Sequence, residues 1–215
     1  MKYPSVIGEF DTVHKILDGF SIARFGDGEF KMSDGMGYRR EEANSKLASE
    51  LKQILHEPKE RCIVGIPTMD QRGAKYENWL RHYDRFVGML SSKVQYYSAF
   101  ISRPDSAQWI MVKEYAELLQ KAWVGKKAVV VCEPDNSMLG VVKSSARDVT
   151  HIACPSSGAY ALTKQFRNQI LRIKPDVAIL CVGPTATCLA HRLCDQVHTI
   201  DIGSAGGFLR KLLAS

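Results

Sequence analysis

Hydrophobic positions along this chain follow two periods in turn, one strand-like and one helix-like. Val6 to Leu17 has the spacing of a helix, and Ser21 to Phe25 that of a strand. From Glu41 to His56, Ala43, Leu47, Leu51, Ile54 and Leu55 form a helical stripe. Arg61 to Ile66 is a short apolar run stopped by Pro67, as a strand would be. Gly73 to Leu90 predicts a helix with Trp79, Leu80, Tyr83, Phe86 and Val87 on one face. Val94 to Ile101 reads as a strand ending at Ser102-Arg103-Pro104. Asp105 or Ser106 would then cap a helix running to about Trp123.

The second half repeats the alternation more clearly. Lys127 to Cys132 is a continuous apolar run, as expected of a strand buried on both faces. Ser137 to Ala146 predicts a helix, and Thr150 to Ala153 a short strand. Ala159 to Ile173 predicts a helix, Asp176 to Val182 a strand, and Thr185 to Cys194 the helix behind it. Val197 to Ile202 and Phe208 to Leu213 close the series as strand and helix. Such alternation implies an α/β protein with a mainly parallel sheet and helices on both faces. No repeat, low-complexity segment or linker divides residues 1–215, which read as a single domain.

In parallel sheets, ligands bind in the crevice beyond the carboxyl ends of the strands. The chemically distinctive residues fall at those ends. They include Gly26-Asp27-Gly28-Glu29, Arg103, Glu133-Pro134-Asp135-Asn136, Cys154-Pro155-Ser156-Ser157, Gly183-Pro184-Thr185-Ala186-Thr187 and Asp201-Ile202-Gly203. Gly26 and Gly28 let the backbone turn sharply beside Asp27 and Glu29. Two such carboxylates can share a hard divalent cation that is also held by substrate phosphates. The plain alternative is a tight Asp-Gly turn. Gly183 and Pro184 open a predicted helix whose free N–H groups suit a phosphate, with Thr185 or Thr187 adding a hydroxyl. The alternative is a well-capped helix. Arg24 and Arg103 suit a diphosphate or a structural ion pair. Glu133, Asp135 and Asp201 are candidates for a general base, a further metal ligand or a capping residue.

Composition adds little. The chain has 29 Lys plus Arg against 23 Asp plus Glu, a formal net charge of +6. This favours an anionic partner without choosing between a nucleotide, a nucleic acid and an acidic surface. Arg72, Lys75, Arg81 and Arg85, with Tyr76 and Tyr83 among them, form a candidate basic face. The six cysteines show no Cys-x-x-Cys pair and read as reduced thiols of a cytoplasmic protein, with Cys181 inside a buried strand. The start carries no long apolar stretch, so no signal peptide is expected. Cys188 and His191 lack a second ligand pair for a metal site. Gly26-Asp27-Gly28 is followed by Glu29-Phe30-Lys31, so the dinucleotide signature is absent.

Taken in order, several segments resemble the GT-D type of bacterial glycosyltransferases. They are Arg24-Phe25-Gly26-Asp27-Gly28-Glu29, Ser102-Arg103-Pro104, Trp123, Glu133, Gly140, Cys154-Pro155-Ser156 with Ala159, Gly183 to Thr187, and Ile200 to Gly203. The resemblance implies a Rossmann-like domain that moves a sugar from a nucleotide-diphosphate donor to a hydroxyl acceptor. That acceptor would be a glycan, a glycoprotein or a modified nucleic acid. It also implies that Asp27 and Glu29 hold Mn²⁺ or Mg²⁺ against the donor diphosphate, and that Gly183 to Thr187 lie close to it. In the family, an acidic and aromatic segment follows. Here the chain reads Ser204-Ala205-Gly206-Gly207-Phe208, so no base or acceptor contact carries over from that segment. A non-catalytic nucleotide or nucleic-acid binding module is the alternative.

Overall fold

The computed structural model describes residues 3–38, 41–68, 83–103 and 113–213. Its strands are β1 (Val6–Ile7), β2 (Ser21–Arg24), β3 (Cys62–Ile66), β4 (Tyr96–Ser98), β5 (Lys127–Cys132), β6 (Asp148–Ala153), β7 (Val177–Leu180) and β8 (His198–Asp201). The helices between them are α1 (Glu9–Leu17), α2 (Asp27–Ser33), α3 (Ser45–His56), α4 (Tyr83–Val87), α5 (Lys113–Gln120), α6 (Ser137–Lys143), α7 (Thr163–Ile173), α8 (Pro184–Leu193) and α9 (Gly206–Leu213).

All the strands run parallel in one sheet of order β1-β4-β3-β2-β8-β7-β5-β6. Strands β3 and β4 lie to one side of β2. The second half fills the other side and returns to β2 through β8. The two halves therefore meet at the β2–β8 pair, where Ile22 lies opposite Ile200.

Both faces of the sheet are apolar, which explains the unbroken hydrophobic strands. Along β5, Val129 and Val131 join one core, and Ala128, Val130 and Cys132 the other. The first core packs under α2, α3, α4, α7 and α8, and the second under α1, α5, α6 and α9. The period of two in a strand thus feeds two separate helical layers. Local signals set the helix starts. Asn44 accepts hydrogen bonds from the backbone N–H groups of Lys46 and Leu47 at 3.0 and 3.1 Å, capping α3.

Several boundaries differ from the sequence reading. Val6 to Leu17 splits, because Gly8 is extended and frees Val6 and Ile7 to pair with Tyr96 and Tyr97 at the sheet edge. The predicted strand 94–101 shortens to Tyr96–Ser98. There the Ser98 hydroxyl accepts from the Phe100 N–H at 3.1 Å and starts a 3₁₀ turn over Ala99–Ser102. A second 3₁₀ turn, Ala159–Leu162, precedes α7. The acidic tetrapeptide is the entry to a helix rather than an isolated turn: Gly26 is the N-cap of α2, and Asp27 and Glu29 lie in its first turn. The front of the predicted helix 73–90 and the cap at Asp105 or Ser106 lie outside the described residues.

Candidate active-site cleft

A cleft of about 970 Å³ opens at the carboxyl ends of the strands. Arg24, Gly26, Asp27, Gly28, Glu29, Arg103, Glu133, Gly183, Pro184 and Asp201 all line it. The segments that were distinctive in sequence thus converge from β2, β5, β7, β8 and the turn after β4. Thr185 and Thr187 do not line it; both are buried in α8.

At the centre stands Arg24, the last residue of β2. Its Nε donates to the Asp201 carbonyl at 2.6 Å and its Nη2 lies 3.3 Å from Asp201 Oδ1. Its Nη1 donates to the Ala99 carbonyl at 2.9 Å and to the Ser102 hydroxyl. The other Asp201 oxygen accepts from the Arg24 N–H and the Thr187 hydroxyl, each at 3.1 Å. Arg24, Asp201 and Thr187 therefore form a buried clamp across the seam between the halves of the sheet. The single Thr187 hydroxyl proton is shared between that Asp201 oxygen and the Arg24 carbonyl, 2.9 Å away, so its hydroxyl is spent inside the protein. Burial, the largest influence, leaves the Asp201 carboxyl above its ordinary value despite Arg24. Gly203, with φ +55, sits so close to Arg24 Nη2 that a side chain there would displace the guanidinium.

The acidic pair occupies one wall. Glu29 reaches back to accept a hydrogen bond from the Gly26 N–H at 2.8 Å, closing the first turn of α2. Burial, and then the charge of Asp201, push its carboxyl up to about 7. Asp27 is more open. Its Oδ1 accepts from the Tyr38 hydroxyl at 3.2 Å and its Oδ2 lies 3.7 Å from Lys31 Nζ. These two side chains fit a hard divalent cation in two respects. Both are oxygen donors on one cleft wall, and Glu29 carries a desolvation cost that a cation beside it would offset. Among the described residues no cluster of three or more His, Cys, Asp or Glu side chains is placed to hold a metal. A site in which one or two carboxylates are completed by phosphate and water is a usual arrangement for Mg²⁺.

The part of the cleft beyond β5 and β6 carries Glu133, Asn136, Cys154, Pro155 and Ser156. Asn136 accepts from the Met138 N–H at 2.9 Å and so caps α6. The Glu133 carboxylate accepts no hydrogen bond among the described residues. Asp135, the other candidate on this loop, is exposed and does not line the cleft. On the floor, the N-terminus of α8 begins at Gly183 with Pro184 in the first helical position.

Tyr38, Glu41, Pro67, Phe100 and Cys181 also line the cleft and were not singled out by the sequence pattern. Cys181 was expected inside a buried strand. It lies just past the end of β7 and is partly exposed to the cleft. All six cysteines are free thiols. Among the described residues, Cys188 and His191 belong to no group of three or more His, Cys, Asp or Glu side chains placed to hold a metal. Arg85 pairs with Asp34, while Arg72, Lys75, Tyr76 and Arg81 of the candidate basic face lie outside the described residues. No helix of the described residues is long and apolar enough to cross a membrane.

A parallel α/β sheet with an acidic helix turn, a helix N-terminus and the Glu133 carboxylate around one carboxyl-end cleft has the layout of an α/β protein that binds its ligand beyond the strand ends. The family can be stated more closely: residues 22–206 match the glycosyltransferase GT-D fold, and the chain belongs to that family. It is 29% identical to Glycosyltransferase GlyD of Streptococcus pneumoniae serotype 4 (strain ATCC BAA-334 / TIGR4) over 215 residues, covering 92% of this chain and 26% of that protein. It is 28% identical to the probable glycosyl transferase Gly of Streptococcus gordonii, covering 93% of this chain and 32% of that protein. The chain thus spans about a third or less of these two relatives. A solved structure described as the highly conserved domain of unknown function 1792, with a distinct glycosyltransferase fold, superposes with a TM-score of 0.79 at 28% identity. That match covers 96% of this chain and 80% of the solved one.

Proposed function

We propose that this chain is a metal-dependent glycosyltransferase acting on a nucleotide-diphosphate sugar. The observation that carries the reading is the cleft itself. Asp27 and Glu29, just beyond β2, and Glu133, just beyond β5, line it together, and the α8 N-terminus follows β7, which lies between those two strands in the sheet. Asp27 and Glu29 would hold Mn²⁺ or Mg²⁺. Bound there, the ion supplies Lewis-acid stabilisation of the departing nucleoside diphosphate. The positive end of the α8 helix dipole adds partial charge for a phosphate, while Pro184 has no N–H and the Ala186 N–H is held by the Gly183 carbonyl at 2.8 Å. Arg103, half-buried on the rim, is the guanidinium assigned to the diphosphate. Arg24 instead holds the strand ends in register.

Glu133 is assigned the acceptor proton. Asp201 is engaged by Arg24 and Thr187, and Glu29 is assigned to the cation, whereas Glu133 lines the cleft without a competing hydrogen bond among the described residues. A carboxylate there takes the proton from an acceptor hydroxyl as the new glycosidic bond forms. The acceptor class is a hydroxyl-bearing molecule, with a glycan first. The six free thiols suit a reducing, cytoplasmic setting.

The test is release of nucleoside diphosphate from a panel of nucleotide sugars, supplied with glycan acceptors, in Mn²⁺ or in EDTA. One donor should be turned over with metal only. Glu133→Gln should lower kcat by about 100-fold with little change in the donor KM. Full turnover by Glu133→Gln would remove the base assignment, and no metal-dependent release from any donor would remove the function.

A further inference from the structure

The loop that follows α2 bends back over it and brings one side chain to the acidic pair. The Tyr38 N–H donates to the Glu41 carbonyl at 2.9 Å, and the Glu41 N–H returns a bond to the Tyr38 carbonyl at 3.0 Å. This small antiparallel bridge brings the Cδ1–Cε1 side of the Tyr38 ring against Gly28. A Cβ at Gly28 would come within 2.6 Å of the ring, so only glycine admits the phenol at this spot. The Tyr38 hydroxyl then donates to Asp27 Oδ1 at 3.2 Å. Lys31 Nζ stands 5.2 Å above the same ring and 3.7 Å from Asp27 Oδ2, so each carboxylate oxygen has its own neighbour. The loop is fastened across the cleft as well. The Glu41 carboxylate accepts from the Gly158 N–H at 3.1 Å, next to the wall that carries Cys154, Pro155 and Ser156.

We infer that Tyr38 is a positioning residue that fixes the orientation of the Asp27 carboxylate, and that Gly28 is glycine so that the phenol can reach it. The inference rests on the metal-holding role given to Asp27 above. Asp27 is the more exposed carboxylate of the pair, with its side chain 37% accessible. A carboxylate this open samples several rotamers unless something holds it. A hydrogen bond from behind removes that freedom, and outer partners of this type commonly change metal affinity by about 10- to 100-fold. The Gly28-Glu29 pair that follows Asp27 thus serves two purposes: Glu29 closes the helix turn, and Gly28 leaves room for the ring.

The experiment is titration with Mn²⁺, with a nucleoside diphosphate present, followed by the spectroscopic signal of free Mn²⁺. Wild type, Asp27→Asn, Tyr38→Phe, Gly28→Ala and the Tyr38→Phe/Gly28→Ala double variant are compared, each with its thermal unfolding midpoint. Tyr38→Phe keeps the ring and loses only the hydroxyl. It should weaken Mn²⁺ binding about tenfold without lowering the unfolding midpoint. Gly28→Ala should weaken binding similarly by displacing the ring, and the double variant should be no worse than the worse single one. Wild-type Mn²⁺ affinity in folded Tyr38→Phe, while Asp27→Asn loses it, overturns the Tyr38 inference alone. Equal Mn²⁺ binding by wild type and Asp27→Asn overturns the role of Asp27 and this inference with it. Should Tyr38→Phe fail to fold, Gly28→Ala is judged by the same criterion.

Discussion

Arg24 shows how much of this site is structural. A guanidinium at a strand end beside a cleft reads, in sequence, as a phosphate ligand. In the fold its donors go to Asp201, Ala99 and Ser102, and only 14% of the side chain is accessible. Asp201 and Thr187 were similarly candidates for chemistry and are partners in this clamp. Replacing Arg24 by alanine would leave the Asp201 carboxylate buried without its counter-charge, a change that typically costs about 3–5 kcal/mol. Urea unfolding should therefore show a large loss of stability in Arg24→Ala and a partial recovery in Arg24→Ala/Asp201→Asn. Equal stability of wild type and Arg24→Ala would mean that the clamp does not bind the sheet together. A sequence shows that an arginine stands at a strand end, but not which of its neighbours is close enough to use it.

At the scale of elements, the strands with apolar residues on both faces were legible. Lys127–Cys132 and Val177–Leu180 lie within the runs expected, because burial on both faces leaves no polar alternation to mislead. The edges were less so. Val6 and Ile7 are a strand only because β4 offers them partners, and that pairing is invisible over a dozen local residues. The acidic pair was visible, whereas Tyr38 was not. Its link to Asp27 depends on the loop turning back over Gly28, which no periodicity records. The β2–β8 seam also predicts a pH response. The His198 ring, partly buried at the start of β8, lies 3.2 Å from the Phe20 carbonyl. Burial, and then the charge of Lys126, push it down from 6.5 to about 4. Between these values the unfolded chain binds a proton that the folded one refuses, so this contribution is intact above pH 6.5 and is lost as pH falls towards 4. The stability of His198→Gln should fall less steeply than wild type over that interval in urea titrations at several pH values. Parallel curves would show that His198 does not titrate as its surroundings demand.

At the scale of the molecule, the sheet order explains why one cleft gathers so many distant segments. The two halves of the chain meet at β2 and β8, and their loops open on the same side. The GT-D match, from residue 22 to residue 206, takes in the strands from β2 to β8 but not β1. What the fold leaves to experiment is the chemistry in the cleft, and above all the ion assigned to Asp27 and Glu29. The most direct measurement is calorimetric binding of a panel of nucleoside diphosphates to wild type and to Asp27→Asn, each with Mn²⁺ and with EDTA. The account predicts that one nucleotide binds wild type tightly with Mn²⁺, and that either EDTA or Asp27→Asn weakens it by at least about tenfold. Binding of equal strength with and without metal, in both proteins, would contradict the central claim.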